Sequence, residues 1–182
     1  MKEANLPTLQ ELYSDVEVAK KEDALLVLLN AQPPQAWVKT HPYINNYRYL
    51  PIDKVEYLLK KIFKVYKIEV LKTGMLMNAV EVSVRVHYKH PLNNEMMYHD
   101  GVGAQELQTV KGSGSLKSDM SNVNKGAVMM ALPIAKTIAI KDACDHFGKM
   151  FGSDLNRKDT ISYNFDEKLN NIDIDKIKKQ IS

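Results

Sequence analysis

The chain has 182 residues, 45% of them hydrophobic and 26% charged, with 25 basic and 22 acidic side chains and a net charge of +3. That size and apolar content fit one compact domain with a tail and exclude a wholly disordered chain, and no run approaches the roughly 18 apolar residues of a membrane span. The polar opening MKEANLPTLQELYSD is no secretory signal, and a single cysteine, Cys144, excludes an internal disulfide or a cysteine zinc cluster, so a cytoplasmic setting is expected.

Thr8 to Ala31 reads as a first helix, with Leu9, Leu12, Val16, Ala24, Leu25, Leu28 and Leu29 at helical spacing. The run KKED before ALLVLLN gives a charged opening to an apolar helix, which Pro33–Pro34 stops. Trp37, Pro42 and Tyr43 fall in an extended connector, where the lone Trp is expected to anchor packing rather than stack on bases. Pro51 opens a second helix, at a position where its missing N–H costs nothing. Ile52, Val55, Leu58, Leu59, Ile62 and Phe63 make its buried stripe, and Lys54, Lys60, Lys61, Lys64 and Lys67 take the remaining faces. Lys54 and Lys61, seven residues apart, project to nearly the same side.

The clearest strand is Ala79 to Lys89. Val80, Val82, Val84, Val86 and Tyr88 alternate with Glu81, Ser83, Arg85, His87 and Lys89, so one face enters a core and the other carries a cationic row. Met96–Val102 follows a turn at Pro91–Asn94 and pairs as a hairpin, while Lys67–Leu71 joins through a turn around Thr73–Gly74. Residues 104–122, rich in Gly, Ser and Lys, read as a loop. A long helix from about Asn122 to Phe151 carries Ala127, Ala131, Ala135, Ala139 and Ala143 every fourth residue, a ridge suited to close packing, with Pro133 expected to kink or split it. The ridge and the N-terminal helix are also candidate protomer contacts. The fold class is α+β, divided into an N-terminal helical and extended segment (1–46), a core (47–159) and a C-terminal tail (160–182). The tail, with Ile172, Ile174, Ile177 and Ile181 among charges, reads equally as a peripheral helix, a partner segment or disorder.

Charge is unevenly spread. Residues 1–46 carry 4 basic and 6 acidic side chains, residues 47–92 carry 9 and 4, and residues 111–158 carry 8 and 4. A basic middle is the footprint of a polyanion partner or a solvated lysine face, and composition does not choose. Enzymatic motifs do not emerge. GSGSLKS (112–118) has Leu116 where a nucleotide-binding loop needs its second Gly, so it is expected to present Lys111 and Lys117 to phosphates instead. His87 and His90, three apart on a strand, point to opposite faces and make poor metal co-ligands, and Cys144 on an Ala-rich helix reads as a buried structural thiol.

Four pieces in order, YLPIDKVEYLLKKIF (49–63), VSVRVHY (82–88), MYHDGVG (97–103) and AKTIAIKDACDHFGKMFGSDLNRKD (135–159), give the chain a resemblance to the Rad-fifty-two superfamily of single-strand annealing proteins, closest to its phage-type members. They span 111 of the 182 residues. The resemblance implies a β-β-β-α core, an antiparallel meander packed on the long helix, that assembles into rings or filaments. It implies ATP-independent binding of single-stranded DNA in a cationic groove between sheet and helix, and annealing through a duplex intermediate, without catalysis or cofactor. A single-strand binding protein or an exonuclease is the further partner expected, in a bacterial or phage-infected cytoplasm. By matched position Lys54 and Lys141 line the groove, Arg85 is the strand-motif arginine and Lys158 belongs to an outer DNA site. Asp142 and Asp145 stand where eukaryotic relatives carry basic residues. The candidate DNA-contacting set is Lys54, Lys61, Arg85, Lys111, Lys117, Lys125, Lys141 and Lys158. The competing classes are a metal-dependent nuclease, which would need a carboxylate cluster, and an oligomeric adaptor for an acidic protein.

Overall fold

The computed structural model describes residues 15–110, 120–161 and 163. Lys111, Lys117 and nearly all of the 160–182 tail lie outside the described residues, as do the first seven residues of the Thr8–Ala31 helix. The described residues form two units, 15–31 with 158–161 and 163, and 32–157. In the first, helix α1 spans Val16–Leu29, and the Asp15 carboxylate caps it by accepting from the Glu17 and Val18 amides at 2.8 and 3.4 Å. KKED is therefore inside α1, not its opening. The buried positions are Ala19 and Asp23, whereas of the predicted stripe Ala24 and Leu28 are exposed and Val16, Leu25 and Leu29 only half-buried.

The second unit is α+β. A two-residue antiparallel ladder joins β1 (Lys39–Thr40) to β2 (Arg48–Tyr49), where the sequence reads as extended connector. Helix α2 (Ile52–Ile62) follows Pro51 and buries Val55, Leu58 and Leu59, as its spacing predicts. Three antiparallel strands, β3 (Tyr66–Leu76), β4 (Ala79–Lys89) and β5 (Met96–Glu106), form a meander in that order. β3 runs five residues beyond expectation. Thr73 and Gly74 pair with Val82 and Glu81 inside it, a register shift between Val70 and Lys72 breaks its alternation, and the chain turns at Met77, whose φ is 56°. β5 likewise runs four residues past its predicted end at Val102 and takes in the first three residues of the predicted loop.

Helix α3 (Ala127–Asp145) packs across β4 and β5. It is shorter than predicted at both ends and runs unbroken through Pro133, which sits on its exposed side. All five ridge alanines are at most 4% exposed. They meet two glycines of β5: a Cβ on Gly101 would overlap the Ala139 carbonyl and the Ala143 amide, and one on Gly103 the Ala135 carbonyl. The ridge is thus consumed inside the fold and is not available as a protomer contact.

Val80, Val82, Val84, Val86 and Tyr88 fill the space under α3, each at most 5% exposed. Full burial of such side chains contributes roughly 1.5–3 kcal/mol apiece, which makes β4 the anchor of the core. At one end Phe63, Tyr88, Phe147 and Phe151 close the core, with Phe63 and Phe147 ring centroids 4.5 Å apart. Cys144 is fully buried, and burial raises its thiol pKa well above the ordinary value, in keeping with an inert structural role.

Candidate nucleic-acid interface

A cleft of about 710 Å³ opens between the β1–β2 hairpin, α3 and the short segment that follows it. Its construction begins with Asn156. The Asn156 side chain accepts from the Arg48 amide and donates to the Arg48 carbonyl, both at 2.8 Å, while the Arg48 guanidinium donates to the Leu155 carbonyl. These bonds tie β2 to a segment 108 residues away and set the hairpin as one wall. The opposite wall is α3, which contributes Ile134, Ile138, Lys141, Asp142 and Asp145.

Lys141 brings a cation to this cleft from α3, while Arg48 lines it from the hairpin. The Lys141 Nζ lies 5.0 Å from the centre of the Tyr49 ring, and partial burial lowers its pKa against the opposing pull of Asp145. The two aspartates have separate fates. Asp142 accepts the Val102 amide at 2.9 Å, satisfying a donor of β5, so an acid here serves the helix–sheet joint. Asp145 sits differently: burial of its carboxyl in the cleft wall and the Asp142 charge push it up to about 6, although the residue as a whole remains exposed.

The other candidates fall elsewhere. Lys54 pairs with Asp53 at 2.9 Å and lies 5.7 Å from the Trp37 ring centre; Trp37 meets Tyr57 edge-on at 5.6 Å, and Lys61 lies 5.7 Å from Tyr57. The helical spacing of Lys54 and Lys61 thus becomes a row in which the two lysines flank a pair of aromatic rings, Trp37 and Tyr57. Arg85 is spoken for: its Nε and terminal nitrogen donate to the two Asp100 oxygens at 2.6 and 2.7 Å, and its guanidinium covers Tyr98 at 3.9 Å. That fork pushes the arginine pKa up and the Asp100 pKa down. Beside it, His87 bonds Glu69 at 2.8 Å. The outward face of β4 is therefore a set of cross-strand pairs, not an open cationic row. Lys125 is exposed just before α3, and exposed Lys158 belongs to the other unit.

Sequence reasoning missed His41, Tyr47, Arg48 and Tyr49, which the hairpin brings to the cleft. The available signal was the aromatic density of HPYINNYRY around an Asn–Asn step, where Asn46 takes φ 57°. Among the described residues no three His, Cys, Asp or Glu side chains gather as a metal-binding group, and no helix is long and apolar enough to cross a membrane. Compared with known proteins, the chain matches no family model and no curated protein.

Proposed function

We propose that this protein binds single-stranded DNA without ATP and anneals complementary strands as a homo-oligomer. The observation that carries the reading is the cleft between hairpin and helix with the Lys141 ammonium held over Tyr49, a cation and an aromatic surface side by side in a trough open to a polymer. Residues 32–157 carry 17 basic against 11 acidic side chains, or +6, while the rest of the chain carries 8 against 11, or −3. The positive charge is thus concentrated in the unit that contains the cleft. The sequence resemblance to single-strand annealing proteins points the same way.

Phosphate neutralisation gives affinity without sequence preference, and a strand held by its backbone keeps its base edges available for pairing. Duplex formation is downhill, so no nucleotide hydrolysis is needed. One cleft grips weakly, and repetition along a multimer multiplies the contacts to one strand. Surfaces suited to self-association exist: α3 exposes Val128, Met129, Met130 and Leu132, and among the described residues β3 and β5 are edge strands of the sheet, each paired with β4.

The test is equilibrium binding of a labelled oligo(dT) across a salt series, paired with sedimentation of the complex. The reading predicts a multimer on the strand and a log–log salt slope of about 0.7 per neutralised phosphate. Salt-independent binding, or a lone subunit indifferent to DNA, contradicts it.

A further inference from the structure

We infer that the β1–β2 turn is a nucleobase-stacking platform, in which Tyr43 and Tyr47 take the faces of bases in a strand whose phosphates run past Lys141. The inference rests on the proposed single-strand binding and adds to it a site that reads bases as flat surfaces. His41 organises the turn. Its Nδ1 accepts the Tyr43 and Ile44 amides at 3.2 and 3.1 Å, its own amide donates to the Tyr47 carbonyl at 2.7 Å, and its ring stands edge-on to Tyr43, Tyr47 and Tyr49 at 6.1 to 6.4 Å. Three tyrosines are thereby splayed around one imidazole on a turn that Asn156 fixes to the body of the unit.

The burial of these rings decides the argument. Tyr43 is 92% exposed and Tyr47 45%, an unfavourable place for two large aromatic side chains unless a flat partner covers them. Tyr47, Tyr49 and Lys141 all line the same cleft, and the Lys141 cation already rests on Tyr49. A cation beside exposed rings suits a ligand that is anionic along one edge and aromatic along the other, which describes a single nucleic-acid strand better than an acidic peptide. Stacking occupies the face of a base and leaves its pairing edge open, so the platform is compatible with annealing.

The experiment compares oligo(dT) with an abasic deoxyribose-phosphate oligomer of equal length, for the full-length wild-type protein, a Tyr43→Ala/Tyr47→Ala variant and a Tyr43→Phe/Tyr47→Phe variant, each first checked for an unchanged thermal melt. The wild type is expected to bind oligo(dT) about tenfold or more tightly than the abasic chain, at the lower end of what one stacked base supplies. The alanine variant should lose that margin, its affinity for oligo(dT) falling to that for the abasic chain, and the phenylalanine variant should retain it. Equal wild-type affinity for both oligomers, or a margin that survives in the alanine variant, overturns the stacking site while leaving backbone binding intact. Failure of the wild type to bind either oligomer overturns both.

Discussion

The joint between α3 and β5 and the cleft between α3 and the hairpin share one helix, yet they are built on opposite principles. Against β5, α3 sets its alanine ridge, and β5 answers with Gly101 and Gly103, so that backbone meets backbone with no space left. On the cleft side it offers Ile134, Ile138, Lys141 and Asp145 to a cavity of about 710 Å³. The first contact is closed and tolerates no added atom. The second is open and mixes charge with apolar surface. A single helix can therefore fix the fold with one stripe and hold a ligand site with another, and mutations on the two stripes should separate stability from binding.

The largest expected effect lies at the closed joint. Gly103→Val must push backbone apart along the helix, and the cost should be about 3 kcal/mol or more, read as a melting temperature about 10 °C lower or as failure to fold. A variant that melts like the wild type would mean the helix does not sit on β5 as described. On the open side, Lys141→Ala should leave the melt nearly unchanged while weakening oligo(dT) binding several-fold and reducing the salt slope by about 0.7, the share of one phosphate contact. If binding falls only in step with stability, the two stripes are not separate. A smaller effect is expected for Asp142→Ala, which strips the Val102 amide of its acceptor and should cost about 1 kcal/mol of stability in chemical denaturation.

The gentlest test is pH. Asp145 has its carboxyl raised to about 6, so it is ionised at pH 7.5 and gains a proton as the pH falls through 6. Because the folded form holds that proton more tightly than the unfolded chain, ionisation opposes folding: the stability contribution is greatest below the unfolded carboxylate range and is lost as the pH rises through about 6. Protonation also removes a negative charge beside Lys141. Oligo(dT) should bind more tightly at pH 5.5 than at 7.5, and Asp145→Asn should bind more tightly at pH 7.5 and shrink the difference. The comparison of variant with wild type, not the wild-type profile alone, isolates Asp145.

How much of this was legible follows the same division. β4 was readable to the residue because a period of two persists over all eleven positions, and α2 because its buried stripe and flanking lysines are unmixed. The alanine ridge was visible too, but its partner was not: a four-residue repeat of small side chains says that something comes close without saying what, and the answer lay in two glycines of another element. β3 was cut short because Thr73–Gly74 looks like a turn, whereas a register shift after Val70 carries the strand past it. The hairpin wall was hidden for a different reason. Its strands are two residues long, too short for any period, and its position depends on Asn156, which is adjacent only once the chain has folded. Arg85 carried a cation's signature in the sequence, and only the register that sets it opposite Asp100 reveals how that charge is matched.

The most direct measurement is the rate at which two complementary oligonucleotides pair, followed by fluorescence quenching in EDTA and without nucleotide, with wild-type protein, Lys141→Ala or no protein present. The account predicts that the wild type accelerates pairing, that added salt diminishes the acceleration and that Lys141→Ala largely loses it. Pairing at the protein-free rate under all conditions would contradict it.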